Sequence, residues 1–251
     1  MDISLGVNIL VLLFMVAMLA GFVDAMAGGG GLLTIPALLL SGVPPIATLA
    51  TNKLQACAGS FSASITMIKK GVVRPRDIKA ALIMAFVGSS VGTVLVQLSP
   101  PDMLKVVIPF LVAGVGLYTL FAPNLGQLES SPKVSQTTWQ KTAVPLIGFY
   151  DGYLGPGTGT FFALSNVALR GMNLIQATGT AKLLNFATNI ASLIFFIMGG
   201  QVLWTVGLVM MAGQAIGAFF GSHMVVKGGA KFIRPVIALM CFAMVVRYVF
   251  W

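Results

Sequence analysis

Apolar segments recur along this chain at residues 3–27, 32–41, 46–68, 78–98 and 103–121, and again at 142–154, 160–169, 174–198, 202–223 and 232–251. A helix that crosses a bilayer needs about 20 apolar residues. The third, fourth and fifth segments of each set meet that length. In hydrocarbon only helices and closed barrels satisfy every backbone hydrogen bond, and apolar runs this long read as helices. Composition agrees, with 57% of residues hydrophobic and 8% charged, against about 25% charged in a soluble domain. The expectation is an all-α integral membrane protein with about eight to ten membrane segments. The first segment has no basic stretch before it and runs straight into Gly21-Phe22-Val23-Asp24 without a cleavage region. It therefore reads as a retained helix and not as a signal peptide.

The two sets resemble each other in sequence. Gly21-Phe22-x-Asp24 matches Gly148-Phe149-x-Asp151, and Gly28-x-Gly30 matches Gly155-x-Gly157. Thr51-x-Lys53-Leu54 matches Thr180-x-Lys182-Leu183, and Gly88-x-x-x-Gly92 matches Gly213-x-x-x-Gly217. The second segment of each set is about half a span and follows a glycine-rich break. These matches divide the chain into a first repeat at 1–122, a polar linker at 123–141 and a second repeat at 142–251.

Loop charge then relates the repeats. Lys69, Lys70, Arg74, Arg76 and Lys79 lie between the third and fourth segments of the first repeat, whereas the equivalent Gly199-Gly200-Gln201 carries no basic residue. Lys227, Lys231 and Arg234 cluster instead between the fourth and fifth segments of the second repeat. Basic loops are cytoplasmic, so the basic side has swapped, as in inverted-topology repeats. The expected fold is two such repeats, each a broken or re-entrant helical hairpin plus three spanning helices. The linker, with Lys133 and Lys141, and Arg170 fall in the cytoplasm, and both termini fall outside it. Whether each hairpin crosses or re-enters is left open, the second copy favouring re-entry.

Gly28 to Gly31 leave backbone groups without helical partners, which hydrocarbon tolerates only where protein or water covers them. Transporters place such breaks at the substrate site, with half-helix N-termini aimed at anions. The segments after the breaks are thus expected to offer backbone N–H groups to a small anion at Gly28, Gly30, Gly155 and Gly157. Thr34, Thr158 and Thr160 would add hydroxyl donors. Ionisable residues within a membrane are expensive and mark function by default. Lys53 and Lys182 are expected to attract the anion, and Asp24 and Asp151 to carry a coupling proton or to pair with those lysines. The plainer alternatives are structural ion pairs, or lysines snorkelling to the interface. Asn185 and Asn189 share a helical face with Lys182, and Asn52 and Gln55 cluster around Lys53. For Gly88/Gly92 and Gly213/Gly217 close helix contact is the expected role.

The sequence has no H-E-x-x-H, G-x-S-x-G or P-loop motif, and its single histidine, His223, ends an apolar run beside a basic loop. No enzyme, metal site or cofactor is expected. Cys57 and Cys241 lie in apolar runs and read as small core residues. The net charge of +9 orients the chain in the bilayer and does not point to nucleic acid.

These motifs, Gly21-Phe-x-Asp24 with Gly28–Gly31, Thr51-Asn52-Lys53, and Gly148-Phe-x-Asp151 with Gly155-x-Gly157-x-Gly159, resemble those of the TauE/SafE sulfite-exporter family over nearly the whole chain. The resemblance implies a multi-pass permease of the bacterial inner membrane. Its implied cargo is sulfite, a sulfonate or a related sulfur-containing or organic anion, exported against proton movement. By position it adds Thr51, Asn52 and Thr180 to the site residues. The second copy carries Ala181 where the first has Asn52, with Asn185 one turn later as a substitute. The leading expectation is a proton-coupled secondary exporter working by alternating access. Two others stand beside it: a cation or amine permease using Asp24 and Asp151, and a non-transporting membrane subunit that partners a sulfur-metabolism enzyme. Small-residue faces permit a homodimer without requiring one.

Overall fold

A computed structural model describes residues 5–100, 102–104, 107, 108, 110, 114 and 131–228. Among the described residues all regular structure is helical: α1 Val7–Ala27, α2 Gly31–Leu40, α3 Pro45–Lys69, α4 Lys79–Gln97, α5 Gln136–Lys141, α6 Ala143–Tyr153, α7 Thr158–Arg170, α8 Leu174–Met198 and α9 Trp204–Gly228. A 3₁₀ turn at Pro75–Ile78 precedes α4. The fifth segment of each repeat and Cys241 lie, apart from the isolated positions above, outside the described residues.

Val7–Met26, Pro75–Gln97, Leu174–Met198 and Trp204–Lys227 are long and apolar enough to cross a membrane. α3 is as long as α8, at 25 residues, but it carries Thr51, Asn52, Lys53, Gln55, Ser60 and Ser64, all buried. Its polar groups face protein, so α3 forms the centre of the molecule and does not need a lipid-compatible surface all round. The first segments differ. α1, with 21 residues, has the length of a span, whereas α6 has 11.

Contacts between helices fix their directions. Phe14, Met18 and Phe22 of α1 lie against Gly213, Gly217 and Gly221 of α9. Thr51 and Ser62 of α3 bond to Leu203 and Ala215, flanking and within α9. Thus α1, α3 and α9 run one way. Ala85 and Ser89 of α4 meet Gly148 and Gly152 of α6, and Ser89 and Gln97 bond to Thr188 and Phe195 of α8. These three helices are also mutually parallel. Met67 meets Gly179, and Phe61 meets Phe186, so α3 and α8 are antiparallel. The second group of helices therefore runs opposite to the first.

Side-chain size explains the two tightest crossings. A methyl at Gly88 or Gly92 would collide with the carbonyls of Pro145 or Phe149, and one at Gly213 or Gly217 with those of Phe14 or Met18. Without a driving force between helices from water, small residues let backbones approach and gain dispersion contacts. The first helix of each repeat thereby seats on the fourth helix of the other.

Lys69, Lys70, Arg74, Arg76 and Lys79 are exposed at the α3–α4 connection. Gln136 bonds there to the Asp77 carbonyl, and Arg170 to that of Val134. With the helix directions above, Lys133, Lys141, Arg170 and Lys227 sit at that same end. Every described lysine and arginine except Lys53 and Lys182 is therefore at one end of the bundle.

The described part of the polar linker, 131–141, is more ordered than its composition suggests. Ser135 caps α5 by accepting from the Thr138 N–H at 3.0 Å, a common N-cap arrangement. Trp139 is buried beside Phe162 and Leu184, its Nε1 donating to Ser165 Oγ at 3.3 Å. A single aromatic in a polar stretch gave no periodic signal for this anchor.

Candidate functional site

The two glycine breaks touch. α1 ends where Gly28 takes φ +84°, its N–H donating to the Asp24 carbonyl at 2.8 Å. α7 begins after Gly157 at φ +78°. These left-handed conformations strain any residue with a Cβ. At the contact the demand is stricter, because a methyl on Gly159 would lie 2.6 Å from the Gly28 Cα. The second segments start at Gly31 and Thr158, slightly earlier than the apolar runs suggest.

Beside this contact lie two buried ion pairs, each between repeats. Lys53 of α3 meets Asp151 of α6 at 2.8 Å, both side chains 2% exposed. Lys182 of α8 meets Asp24 of α1 at 2.9 Å and donates also to the Asp24 carbonyl. Each lysine is about 12 Å along the axis from the first residue of its helix. Both ammonium groups are buried and paired, which does not fit the snorkelling alternative. The other Asp24 oxygen accepts from the Gly30 N–H at 3.0 Å, tying the pair to the break. At the other break, a Cβ on Gly155 (φ +94°) would lie 3.2 Å from Lys53 Nζ.

Around the first break Asn52 organises a polar cluster. Its Oδ1 accepts from Thr34 Oγ1 at 2.7 Å and from Gln55 Nε2 at 2.9 Å. Its Nδ2 stands 3.7 Å from where a Gly31 Cβ would be, and Pro156 Cα stands 3.6 Å from the same point. Thr34 also reaches the Gly30 carbonyl. The equivalent place on α8 is taken by Ala181, which has no side-chain amide to organise such a cluster. Thr158 Oγ1 donates to the Gly155 carbonyl at 2.8 Å, shaping the second break. Thr160 is buried, with its backbone nitrogen against Gly28.

Two of the other expected site residues, Thr51 and Thr180, bond to groups outside the breaks. The Thr51 hydroxyl accepts from the Leu203 N–H at 3.2 Å, fastening the start of α9. Thr180 faces Met172 Sδ at the α7–α8 corner. Asn185 is buried on α8 one turn beyond Lys182. His223 lies against Phe219 near the end of α9. Cys57 is a buried free thiol. Among the described residues no group of His, Cys, Asp or Glu could hold a metal ion.

Two neighbours of the breaks were not singled out from sequence. Tyr150 donates its hydroxyl to the Pro156 carbonyl at 2.6 Å, bracing the Gly-Pro-Gly turn. Its position beside Asp151 was the available signal, since a buried phenol needs a partner. Gln214 of α9 fits between Gly59 and Gly30, with its Oε1 buried and unbonded.

The profile of the sulfite exporter TauE/SafE family matches residues 13–248. This chain belongs to that family. A probable membrane transporter protein of Haemophilus influenzae is 46% identical over 247 residues, covering 98% of this chain and 97% of the relative. The probable membrane transporter protein YfcA of Escherichia coli K12 is 50% identical over 228 residues, covering 91% and 85%. A probable membrane transporter protein, ORF9, of Sinorhizobium sp is 42% identical over 244 residues, covering 97% and 94%. No solved structure matches. As a TauE/SafE protein with several apolar helices of spanning length, the chain is a multi-pass membrane transporter.

Proposed function

We propose that this TauE/SafE protein is a secondary transporter exporting a small anion across the bacterial inner membrane. The cargo class is sulfite, a sulfonate or a related sulfur-containing or organic anion, the movement is coupled to protons, and access alternates between two inverted repeats. One observation carries the proposal: the glycine breaks of the two halves meet inside the protein, with Lys53 and Lys182 beside them. Irregular backbone and buried cations in one place suit an anion's need for N–H donors and positive charge. Inversion is supported by the opposite directions of corresponding helices, α1 and α3 against α6 and α8. The gathering of basic residues at one end supports a cytoplasmic assignment for that end.

Both carboxylates are already neutralised by lysine, which counts against a cation or amine as cargo. The purified full chain in proteoliposomes, offered labelled sulfite and a labelled sulfonate, tests the reading. Lys53→Gln and Lys182→Gln are expected to lower uptake at least tenfold, the loss of one well-placed charge contact being about 1.5–3 kcal/mol. Unchanged transport in both variants sinks the assignment of the lysines. Transport by neither the variants nor the parent chain would favour the non-transporting subunit.

A further inference from the structure

We infer that the transporter carries each negative charge of its anion together with one proton, in the same direction and without net charge movement, by opening a cross-repeat Lys–Asp pair. The inference rests on the anion-transport reading above and names its coupling mode. It departs from the counter-movement that the family resemblance implies.

Lys53 with Asp151, and Lys182 with Asp24, are each neutral as closed pairs, at 2.8 and 2.9 Å and almost wholly buried. A monoanion brought beside a closed pair adds an uncompensated charge to a low-dielectric site, which is strongly unfavourable. If the aspartate takes up one proton, its carboxylate becomes a neutral acid and the lysine stays an ammonium. That ammonium then faces the anion, and pair, proton and anion together sum to zero. No electron moves, and the only bond made is O–H on the carboxyl. Anion binding and carboxylate protonation therefore favour each other by the same factor, as linkage requires. A closed pair, at 2.8 or 2.9 Å, is in contrast neutral without that proton. The loaded form carries the proton and the unloaded form does not, so proton and anion travel together.

Among the described residues Asp24 and Asp151 are the buried acidic groups. α1, bearing Asp24, packs against α2, α3, α7, α8 and α9. The charged or titratable residues of those helices are Lys182 itself, Lys53 and Cys57, and Lys69, Arg170, His223 and Lys227 toward the basic end. α6, bearing Asp151, packs against α4, α5, α7 and α8, whose further charges, Lys79, Lys141 and Arg170, are at that end too. Tyr150 and Cys57 are in electrostatic reach of Asp151. The Tyr150 hydroxyl is committed to the Pro156 carbonyl, and Cys57 is a buried thiol. Two pairs of one design give capacity for two protons, one per charge of a dianion.

The test uses the full chain in proteoliposomes with labelled methanesulfonate, an anion that stays singly charged across the working pH range. With potential clamped at zero by potassium and valinomycin, accumulation is expected to follow an imposed pH difference, about tenfold per unit at equilibrium. With equal pH on both sides, an imposed potassium diffusion potential is expected to drive none. Whatever flux Asp24→Asn or Asp151→Asn retains is expected to lose part of its pH drive and respond to voltage. If these variants fail to fold, the parent chain still decides the matter. Accumulation that follows voltage at equal pH overturns the coupling inference while leaving anion transport standing. No movement of methanesulfonate or sulfite under any gradient overturns the transport reading, and the coupling with it.

Discussion

Two double variants of identical composition separate a crosswise pairing from any other arrangement. Lys53→Gln with Asp151→Asn removes both members of one ion pair. Lys53→Gln with Asp24→Asn removes one member of each pair. In the structure Lys53 meets Asp151 at 2.8 Å and Lys182 meets Asp24 at 2.9 Å. The side chains are 1–2% exposed, except Asp24 at 11%, so water does little to screen a charge left behind. Orphaning one member of a buried pair costs about 3–5 kcal/mol, whereas replacing both members is far milder. The matched double loses a polar contact, on the order of 1–2 kcal/mol. The mismatched double leaves Asp151 and Lys182 both unpartnered, roughly 6–10 kcal/mol. A difference of 1 kcal/mol moves the melting temperature of a chain this size by about 2–4 °C. The matched protein is therefore expected to melt at least roughly 10 °C above the mismatched one, read by thermal melting of the detergent-solubilised full chain. Equal melting temperatures would refute the pairing.

Three further outcomes are expected. Gly28→Ala places a methyl group on a residue at φ +84° and against the backbone of Gly159 and Thr160; it should lower transport at least tenfold, while Gly42→Ala, also at positive φ but with open space around it, should leave transport near the parent rate. Asn52→Ala breaks the contacts to Thr34 and Gln55 and should weaken anion affinity by about tenfold, for a loss near 1.4 kcal/mol; an unchanged concentration dependence of uptake would remove Asn52 from the site. Trp139→Ala empties a buried pocket at the end of the linker and should cost about 3–5 kcal/mol, seen as a lowered melting temperature; a melt like the parent's would show that α5 does not anchor the second repeat.

Much of this organisation was legible in the residues themselves. Hydropathy found the helices, because a lipid-facing helix must be apolar along its length whatever its neighbours are. The paired motifs located both breaks, since Gly28–Gly31 and Gly155-Pro156-Gly157 cannot continue a helix without cost. The Gly-x-x-x-Gly spacings correctly announced close crossings at Gly88/Gly92 and Gly213/Gly217. Thr51 and Thr180, by contrast, share the motif with the lysines yet bond to the Leu203 N–H and to Met172 Sδ. Residues two apart in a helix, as Thr51 and Lys53 are, point about 160° away from each other, so membership of one motif does not imply one site.

The sequence alone determined that this is a helical membrane protein whose glycine breaks, paired aspartates and paired lysines recur in matching motifs along the chain. Each of those properties belongs to a residue and its near neighbours along the chain. Only the tertiary structure decided that Lys53 takes Asp151 and Lys182 takes Asp24, that Gly28 rests on Gly159, and that Trp139 closes the linker onto the core. Partner choice between segments more than 90 residues apart depends on how the helices pack. Neither hydropathy nor spacing encodes it, because a buried charge states only that it needs a partner and not which one it has.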